Sequence, residues 1–385
     1  MTRPFHILPL LLCALTALLL SCQQEESIVR SVQEKVTAPE ATAHVAGFYV
    51  LNEGNMGSNK CTLDYFDYSS GIYSRNIYAE RNPGVVQELG DVGNDLAVYG
   101  GKLYAVVNCS HFVEVMDLHT ARHRAQVSIP NCRSIVFDGP YAYVSSYAGP
   151  VLLDPNARLG YVARIDTSTL QIVDTCTVGY QPEEMAVVDG KLYVANSGGY
   201  RAPHYDNTVS VVDLRTFRRE KDIDVAINLH RMAADTKRGL LYVSSRGDYA
   251  NTGSDIYVID ASADKVVGSL SCPCSTMRLA GDSLYIVSSE WSNASATYKT
   301  TYAIYDLERR QMVSDAFIAD GTETSIDKPY GLAVCPDNGD ILITDAADFV
   351  TPGTLRCYSK KGVLRWQVTT GDIPASIAFV PRAEK

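Results

Sequence analysis

A short strand pattern centred on a tyrosine returns about every 49 residues along this chain. From Tyr49 to Leu342 the pattern takes six steps over 293 residues. Its copies are Phe48-Tyr49-Val50, Leu103-Tyr104-Ala105, Ala142-Tyr143-Val144, Leu192-Tyr193-Val194, Leu241-Tyr242-Val243, Leu284-Tyr285-Ile286 and the weaker Ile341-Leu342-Ile343. A fixed period of this size indicates a repeat architecture, and it limits the fold more than any other feature of the chain.

Each repeat unit holds four short strands, which are clearest around Leu192. The apolar run Met185–Val188 ends at a hairpin turn, Asp189-Gly190, and the Leu192 strand follows. Val209–Asp213 then alternates apolar and polar residues, as a half-buried strand does, and Phe217–Val225 supplies the outer strand. Four antiparallel strands per period of roughly 40–50 residues are typical of a β-propeller blade.

The number of units predicts an all-β fold, a seven-bladed β-propeller. The chain enters the first blade at Gly47-Phe48-Tyr49 without an innermost strand, and a spare strand of innermost type, Ile377–Val380, follows the last unit. We therefore expect this C-terminal strand to complete the first blade, which closes the ring and leaves no open sheet edge. The predicted propeller domain spans residues 47–382.

Composition narrows the classes of function. Apolar residues make up 46% and charged residues 20% of the chain, which suits a globular β protein. The formal net charge of −10 argues against a nucleic-acid partner, because phosphate binding needs a basic surface. No Rossmann or P-loop glycine pattern occurs in the sequence.

Residues 1–21 are predicted to be a lipoprotein signal peptide. Arg3 supplies the basic start, and the apolar run Ile7–Leu20 is too short to span a bilayer comfortably. Leu19-Leu20-Ser21-Cys22 resembles a bacterial lipobox, which implies that Cys22 is acylated and holds the protein on a membrane. The alternative is plain secretion with an ordinary cleavage site.

Residues 22–46 are predicted to be the lipidated cysteine and a flexible tether, because Gln23–His44 has neither an aromatic residue nor a strand pattern. Gln23-Gln24-Glu25-Glu26 resembles the acidic export tags of Bacteroidota surface lipoproteins. This implies an outer-membrane location facing the cell exterior. A solvated polar tether is the alternative for the same four residues.

Eight cysteines follow Cys22, and outside the cytoplasm they could form disulfides. Cys109 and Cys132 fall near one face of neighbouring blades and are the best candidate pair. Most of the others occupy strand positions, which favours small buried apolar side chains. Cys272-Pro273-Cys274 lacks a second pair at zinc spacing.

Long loops between the second and third strands of the blades lie on one predicted face. They are Asn52–Asn59, Tyr147–Leu159, Asn196–Tyr205, Arg246–Asn251, Glu290-Trp291 and Asp345–Pro352. Because they are rich in Tyr, Trp, Asn and Arg and stand on a rigid scaffold, they predict a ligand-binding surface. The alternative is that they cap the channel and pack on one another. The candidate ligand-binding residues are Tyr147, Asn196, Tyr200, Tyr205, Arg246, Tyr249 and Trp291, with His230 and Tyr330 at the channel mouth.

A second set of loops leads into the innermost strands and rings the predicted channel mouth. The set comprises Asp91–Asp95, Gln181–Glu184, Asn228–Arg231 and Lys328–Gly331. Their carboxylates and amides could hold calcium, as in propeller lactonases, or could satisfy backbone amides at the strand ends. His111, His204 and His230 fall near this face, as metal ligands or as hydrogen-bonding loop residues. No catalytic Ser-His-Asp or Cys-His spacing is recognisable, although a repeat fold can scatter such groups across blades. We expect a binding protein, with no enzyme activity and no catalytic residue.

Several stretches resemble one family over about Gly47–Phe379. They are Phe48–Asn59, Tyr180–Met185, Leu192–Tyr200, Ser244–Tyr249, Tyr330–Val334 and Val350–Thr354. They are similar to the BtuG-type surface cobalamin-binding β-propeller lipoproteins of gut Bacteroidota, within the broader YncE-like extracytoplasmic propellers.

The resemblance implies a seven-bladed outer-membrane lipoprotein that binds cobalamin (vitamin B12) and related corrinoids. It further implies delivery of the corrinoid to a TonB-dependent outer-membrane transporter, with cobalamin as transported ligand and not as cofactor. It carries over no individual contact residue. Three alternatives stay open, because fold alone does not choose among them: a glycan- or protein-binding propeller, a calcium-dependent lactonase or hydrolase, and a purely structural transporter lid.

Overall fold

The computed structural model describes residues 30–37, 39–85, 88–292 and 297–382. Within them, 29 strands form seven antiparallel sheets, and the innermost strands pack against one another in a closed ring. The prediction of a seven-bladed β-propeller is confirmed. No helix in these ranges is long and apolar enough to cross a membrane.

The strands follow one another blade by blade. Blade one contains β1 (Val32–Lys35), β2 (Val45–Asn52), β3 (Thr62–Asp67), β4 (Ile72–Arg75) and β29 (Pro374–Pro381). Blade two contains β5 (Gly93–Tyr99), β6 (Lys102–Val107), β7 (Phe112–Asp117) and β8 (His123–Ser128). Blade three contains β9 (Cys132–Asp138), β10 (Tyr141–Ser146), β11 (Tyr161–Asp166) and β12 (Ile172–Thr177).

Blade four contains β13 (Pro182–Val188), β14 (Lys191–Asn196), β15 (Thr208–Asp213) and β16 (Arg218–Asp224). Blade five contains β17 (Leu229–Asp235), β18 (Leu240–Ser245), β19 (Asp255–Asp260) and β20 (Lys265–Ser269). Blade six contains β21 (Thr276–Ala280), β22 (Ser283–Ser292), β23 (Thr297–Asp306) and β24 (Gln311–Ser314). Blade seven contains β25 (Pro329–Val334), β26 (Ile341–Asp345), β27 (Pro352–Tyr358) and β28 (Leu364–Asp372). The short helix α1 (Ile77–Arg81) follows blade one, and single 3-10 turns occur at Gly199–Arg201 and Thr322–Ser325.

The ring closes through the C-terminal strand, as the sequence predicts. β29 pairs antiparallel with β2, so that Phe48 lies opposite Phe379 and Val50 opposite Ile377. The first blade thus takes its innermost strand from the end of the chain and its other strands from the beginning.

Part of the predicted tether belongs to the propeller, so the tether prediction is wrong for this part. Val32–Lys35 forms β1 and pairs with β4 as a fifth, outermost strand of blade one, with Val32 opposite Arg75. All four residues are exposed. An edge strand held by backbone hydrogen bonds with solvent on both faces needs no apolar alternation, and therefore it left no pattern in the sequence.

The core lies in the seams between blades. The apolar residues form seven buried clusters within the described part of the chain, and each cluster joins two neighbouring blades. The seam between blades four and five, for example, packs Tyr193 and Val211 against Leu241 and Ile259. The repeated Tyr and Val positions of the second and third strands supply these seams, which explains the period of the sequence.

An aspartate ends the third strand in six of the seven blades. In each, one carboxylate oxygen accepts an N–H from the turn that follows. These residues are Asp67, Asp117, Asp166, Asp213, Asp260 and Asp306. Aspartate suits this position because its short side chain can bond the backbone two or three residues on and so stop the strand.

Cys109 and Cys132 are both free thiols, so the predicted Cys109–Cys132 disulfide is not formed. Cys132 is fully buried and its thiol contacts the carbonyl oxygens of Val107 and Phe112, which leaves it facing its own seam. Seven of the eight cysteines are buried, as expected for small apolar side chains. Cys22 and residues 1–21 lie outside the described residues, so the lipid anchor and the signal peptide stay predictions.

Candidate ligand-binding site

A β-bulge recurs where the innermost strands begin. In four blades, two residues of the innermost strand stand opposite a single residue of the second strand. The bulged pairs are Arg133-Ser134, Glu183-Glu184, His230-Arg231 and Tyr330-Gly331. Bulges bend a strand locally and re-aim its side chains, and here they turn polar side chains toward the axis of the ring.

A hydroxyl group on the second strand supports three of these bulges. Ser145, Ser244 and Thr344 accept the backbone N–H of Ser134, Arg231 and Gly331 at 3.1, 2.9 and 2.6 Å, respectively. Each hydroxyl is buried and replaces a ladder partner that the bulge has removed. The bulges are therefore held rigidly, with their backbone donors satisfied.

The bulges surround a cavity of about 630 Å³ at the mouth of the channel, on the face that carries the long loops. Such a volume is within the usual range for small-molecule sites. Its polar lining comes mainly from the innermost strands. The charged and aromatic lining residues are Glu53, Asp95, Arg133, Glu183, Glu184, His230, Arg231, Arg246, Tyr249, Arg278, Tyr298 and Tyr330.

Glu183 is the centre of one charged network in this wall. Arg133 donates to its Oε2 through two nitrogens at 3.1 Å, and Arg246 approaches Oε1 at 3.2 Å. The hydroxyl of Tyr147 donates to the same Oε1 at 2.6 Å. Burial opposes ionisation of Glu183, but Arg133 and Arg246 outweigh it and lower the pKa of the carboxyl to about 2. Glu183 is therefore an anion that holds two arginines in place.

Glu184 organises the opposite part of the wall. Its Oε1 accepts a hydrogen bond from Arg231 at 2.8 Å, and its Oε2 accepts the backbone N–H of Met232 at 2.8 Å. Arg278 lies farther away, at 3.9 Å from Oε1, and donates to the carbonyl of Met277 instead. Two arginines thus share this glutamate, as two share Glu183.

Glu53 and Asp95 are acidic groups of the cavity with neutral partners. The hydroxyl of Tyr330 donates to Glu53 at 2.6 Å, while Asp95 accepts the hydroxyl of Ser134 and the backbone N–H of Ile135, both at 3.0 Å. Burial raises the pKa of both carboxyls above the ordinary value. Their ionised forms are consequently disfavoured relative to Glu183.

His230 lines the cavity and lies near all four of its arginines. Its ring makes no hydrogen bond to any residue of the described chain, and burial together with the nearby guanidinium groups lowers its pKa well below the ordinary value. The imidazole is therefore neutral and free to contact a ligand.

Two tyrosines form the outer rim of the cavity. Tyr249 is 74% exposed and Tyr298 is 53% exposed, and the ammonium group of Lys328 stands 3.7 Å from the centre of the Tyr298 ring. Exposed aromatic rings beside a cavity give a ligand a broad apolar surface at small entropic cost.

The structure brings four of the nine predicted ligand-binding residues to this cavity: His230, Arg246, Tyr249 and Tyr330. Trp291 lies on β22, and its side chain is outside the described part of the structure. The remaining four predicted residues lie away from the cavity surface. They are Tyr147, Asn196, Tyr200 and Tyr205.

Three of these four residues have structural surroundings instead. Asn196 is fully buried and donates to Thr208 and Ser210 within its own blade. Tyr147 is buried behind Glu183, and the ring of Tyr200 packs edge-on against it at 6.2 Å. A position on the loop face therefore did not suffice, because several loop aromatics pack among themselves.

Two other histidines of this face do not line the cavity. The Nδ1 atom of His111 lies 3.1 Å from the carbonyl oxygen of Asn108 and 3.2 Å from the amide of Asn131, so His111 is a hydrogen-bonding loop residue. His204 is exposed in the loop of blade four. Among the described residues, no three His, Cys, Asp or Glu side chains gather in a way that could hold a metal ion.

Among the four arginines of the cavity, the sequence analysis chose only Arg246 as a candidate. Arg231 belongs to the predicted loop set at the channel mouth but was not chosen, whereas Arg133 and Arg278 lie in innermost strands outside both predicted loop sets. A signal was present, because each interrupts the start of an otherwise apolar strand at the blade period. A charged residue in such a position must face a water-filled channel or a partner.

Comparisons with known proteins place the fold in context. Hydrazine synthase of Kuenenia stuttgartiensis is similar in structure, with a TM-score of 0.59 and 16% sequence identity, over 75% of this chain and 90% of that chain. At this identity the likeness concerns the fold alone. A search of curated proteins finds no match.

A family model matches most of the chain. The model is described as a domain of unknown function (DUF5074), and it covers residues 46–379, from β2 to the closing strand β29. The match and the seven-bladed ring fit a YncE-like propeller family. The chain therefore belongs to the DUF5074 family.

Proposed function

We propose that this chain is a surface lipoprotein of the outer membrane that binds cobalamin or a related corrinoid and passes it to a TonB-dependent transporter. The observation that carries the proposal is the cavity of about 630 Å³ at the axis of the loop face. The resemblance of the Phe48–Asn59 and Tyr180–Met185 stretches to the BtuG type supports the choice of ligand. The proposal contains no catalytic step.

The chemistry of the cavity suits a corrinoid. A corrin ring is broad and apolar on its faces, and its rim carries amide side chains. Arginines, Asn94 and Ser289 in the lining can bond such amides, while Tyr249 can cover a face of the ring. The neutral imidazole of His230 adds a nitrogen that can accept a hydrogen bond or meet a metal.

Rigidity favours tight binding. The lining side chains stand on innermost strands, and their bulges are fixed by Ser145, Ser244 and Thr344. Little ordering is left to occur when a ligand binds, so more of the contact energy becomes affinity.

The first experiment mixes the chain from Gln23 onward with cyanocobalamin and separates the mixture on a desalting column. Absorbance of the corrin band should co-elute with the protein at one ligand per chain. Tyr249→Ala should weaken binding about ten-fold, because it removes the exposed aromatic surface of the rim.

The matched control is Leu153→Ala. Leu153 is 71% exposed, on a loop that does not line the cavity, so its removal should leave binding unchanged. A colourless protein peak would overturn the corrinoid proposal. A glycan array and a pull-down of outer-membrane proteins would then test the alternatives of a glycan- or protein-binding propeller.

A further inference from the structure

The charges of the cavity wall do not balance. Four guanidinium groups line the cavity, and among the described residues only two glutamates, Glu183 and Glu184, lie within ion-pair distance of them. Four positive charges minus two negative charges leave two positive charges. Each glutamate is shared by two arginines, so neither neutralises both of its partners. Because all four arginines line the cavity, the excess positive charge lies at the cavity surface.

The other two acids of the wall, Glu53 and Asp95, lie outside these ion pairs. Glu53 is bonded to the hydroxyl of Tyr330, and Asp95 to a hydroxyl and a backbone amide. Neither carboxylate has a cationic group within 4.0 Å among the described residues. Burial raises the pKa of both and outweighs the opposite effect of Arg133 and Arg231 on Glu53 and of Arg278 on Asp95, so their negative forms are disfavoured.

The surroundings of His230 agree with an excess of positive charge in the cavity wall. After burial, the causes of its lowered pKa are Arg246, Arg231, Arg133 and Arg278, which are all four arginines of the cavity. A further positive charge at His230 is therefore disfavoured, and a negatively charged ligand group beside it is favoured. This sign is opposite to that of the whole chain, whose formal net charge is −10.

We infer that the cavity recognises its ligand through an oxyanion, a phosphate or a carboxylate, which the four arginines of the cavity bind. Arg278 has the longest ion pair of the four and is therefore the arginine most available to the ligand. The inference rests on the proposed function in one respect, namely that the cavity binds a ligand. Guanidinium groups suit this role because their planar donors match the two oxygens of such an anion.

Arg278 is the arginine whose substitution tests this inference with the least disturbance of the other ion pairs. Its side chain is 35% exposed, and its link to Glu184 is the longest in the cluster, at 3.9 Å. Its removal should therefore not disturb Glu184, which Arg231 and the amide of Met232 hold more closely. Arg278→Lys retains the positive charge and serves as the conservative variant.

The experiment is a calorimetric titration with inorganic pyrophosphate at constant ionic strength. The unmodified chain should bind pyrophosphate saturably, Arg278→Gln should weaken binding about ten-fold, and Arg278→Lys should recover part of it. Arg309→Gln, which removes an exposed arginine paired with Asp306 outside the cavity, should have no effect. Absence of saturable binding, or equal binding by Arg278→Gln, would overturn the inference.

Three corrinoids then distinguish the source of the anion. Cobalamin carries a phosphodiester, a corrinoid monocarboxylate has a carboxylate in place of one rim amide, and cobinamide has neither. Tighter binding of one anionic form than of cobinamide, lost in Arg278→Gln, supports the inference and identifies the group; equal binding of all three overturns it. Pyrophosphate binding without any corrinoid binding supports the oxyanion site and overturns the corrinoid proposal alone.

Discussion

The repeated tyrosine that reveals the fold also ties neighbouring blades together. Tyr49 donates its hydroxyl to the carbonyl of Leu118 at 2.8 Å, and Tyr193 donates to the carbonyl of Ala261 at 3.0 Å. Both acceptors lie just beyond the third strand of the following blade. The aromatic ring packs in the seam between two blades, while the hydroxyl hydrogen-bonds the neighbouring blade and so helps to fix the relative orientation of the two blades.

Tyr193→Phe should therefore destabilise the propeller. The change removes the bonds to Ala261 and to the carboxylate of Asp264 and leaves the ring in place, so the free energy of unfolding should fall by about 1–2 kcal/mol. The matched control is Tyr104→Phe, because the buried hydroxyl of Tyr104 has no hydrogen-bond partner in the structure. Urea unfolding measures both variants. Equal losses would contradict the assigned role of the hydroxyl.

The buried position of His230 predicts the sign of a pH dependence of stability. Because its folded-state pKa lies well below the unfolded value of 6.5, the unfolded chain binds the proton first as the pH falls. The contribution of His230 is fully present above pH 6.5 and is lost below it, at up to about 1.4 kcal/mol per pH unit.

His230→Gln should flatten this dependence. Thermal unfolding between pH 7 and pH 5 should show a smaller fall in stability for His230→Gln than for the unmodified chain. His111→Gln, at a hydrogen-bonded loop histidine outside the cavity, is the comparison. Parallel curves for the unmodified chain and His230→Gln would show that His230 is not held neutral.

At the scale of elements, the bulges of the innermost strands make the site. A regular strand would place alternate side chains in the seams, whereas each bulge supplies two consecutive residues at one position of the partner strand. Glu183 and Glu184 consequently both reach the cavity wall, although they are neighbours in the sequence.

Ser244→Ala should lower both stability and ligand affinity, although the substitution removes only one hydroxyl group. The hydroxyl of Ser244 accepts the backbone N–H of Arg231 at 2.9 Å in a buried position, and without it this donor is unsatisfied. The free energy of unfolding should fall by about 1–3 kcal/mol, and ligand affinity should fall with it because Arg231 loses its fixed position. Ser288→Ala, at an equally buried serine of the next blade, is the control. Unchanged affinity in Ser244→Ala would contradict the positioning role.

The sequence predicted elements well where a pattern repeats and poorly where it does not. The blades, the number of units and the closing strand follow from the Tyr-Val period, because burial in a seam demands an apolar residue at each turn of the ring. Strand β1 and the bulges leave no such trace, since backbone hydrogen bonds hold β1 and side-chain hydroxyls of the second strands hold the bulges. His230, Arg246, Tyr249 and Tyr330 were found at the cavity and Arg231 was placed at the channel mouth, while Arg133 was missed because a bulge cannot be seen in alternation alone.

At the scale of the whole molecule, the ring depends on its last strand. β29 pairs with β2, and its residues Ile377–Val380 pack into the seams on both sides of blade one. Without β29, two seams lose contacts and β2 presents an unpaired edge.

Truncation before Pro374 should therefore abolish cooperative folding. Circular dichroism should show no sharp thermal transition for this shortened chain, because the ring cannot close. Truncation after Arg382, which removes only the last three residues, is the control and should melt like the full chain. A sharp transition at an unchanged temperature in the first truncation would contradict the role of β29.

Strand β1 also determines how long the segment between the lipid anchor and the propeller can be. Under the proposal that Cys22 carries the lipid, only ten residue steps separate the anchor from Val32, and a chain of this length reaches at most about 36 Å. The attachment point is the outer edge of blade one, not the axis of the ring. The protein would thus be tethered by its rim and confined to a shallow layer above the bilayer. There it would meet a membrane-embedded transporter by lateral diffusion in two dimensions, and the two would need no encounter from bulk solution.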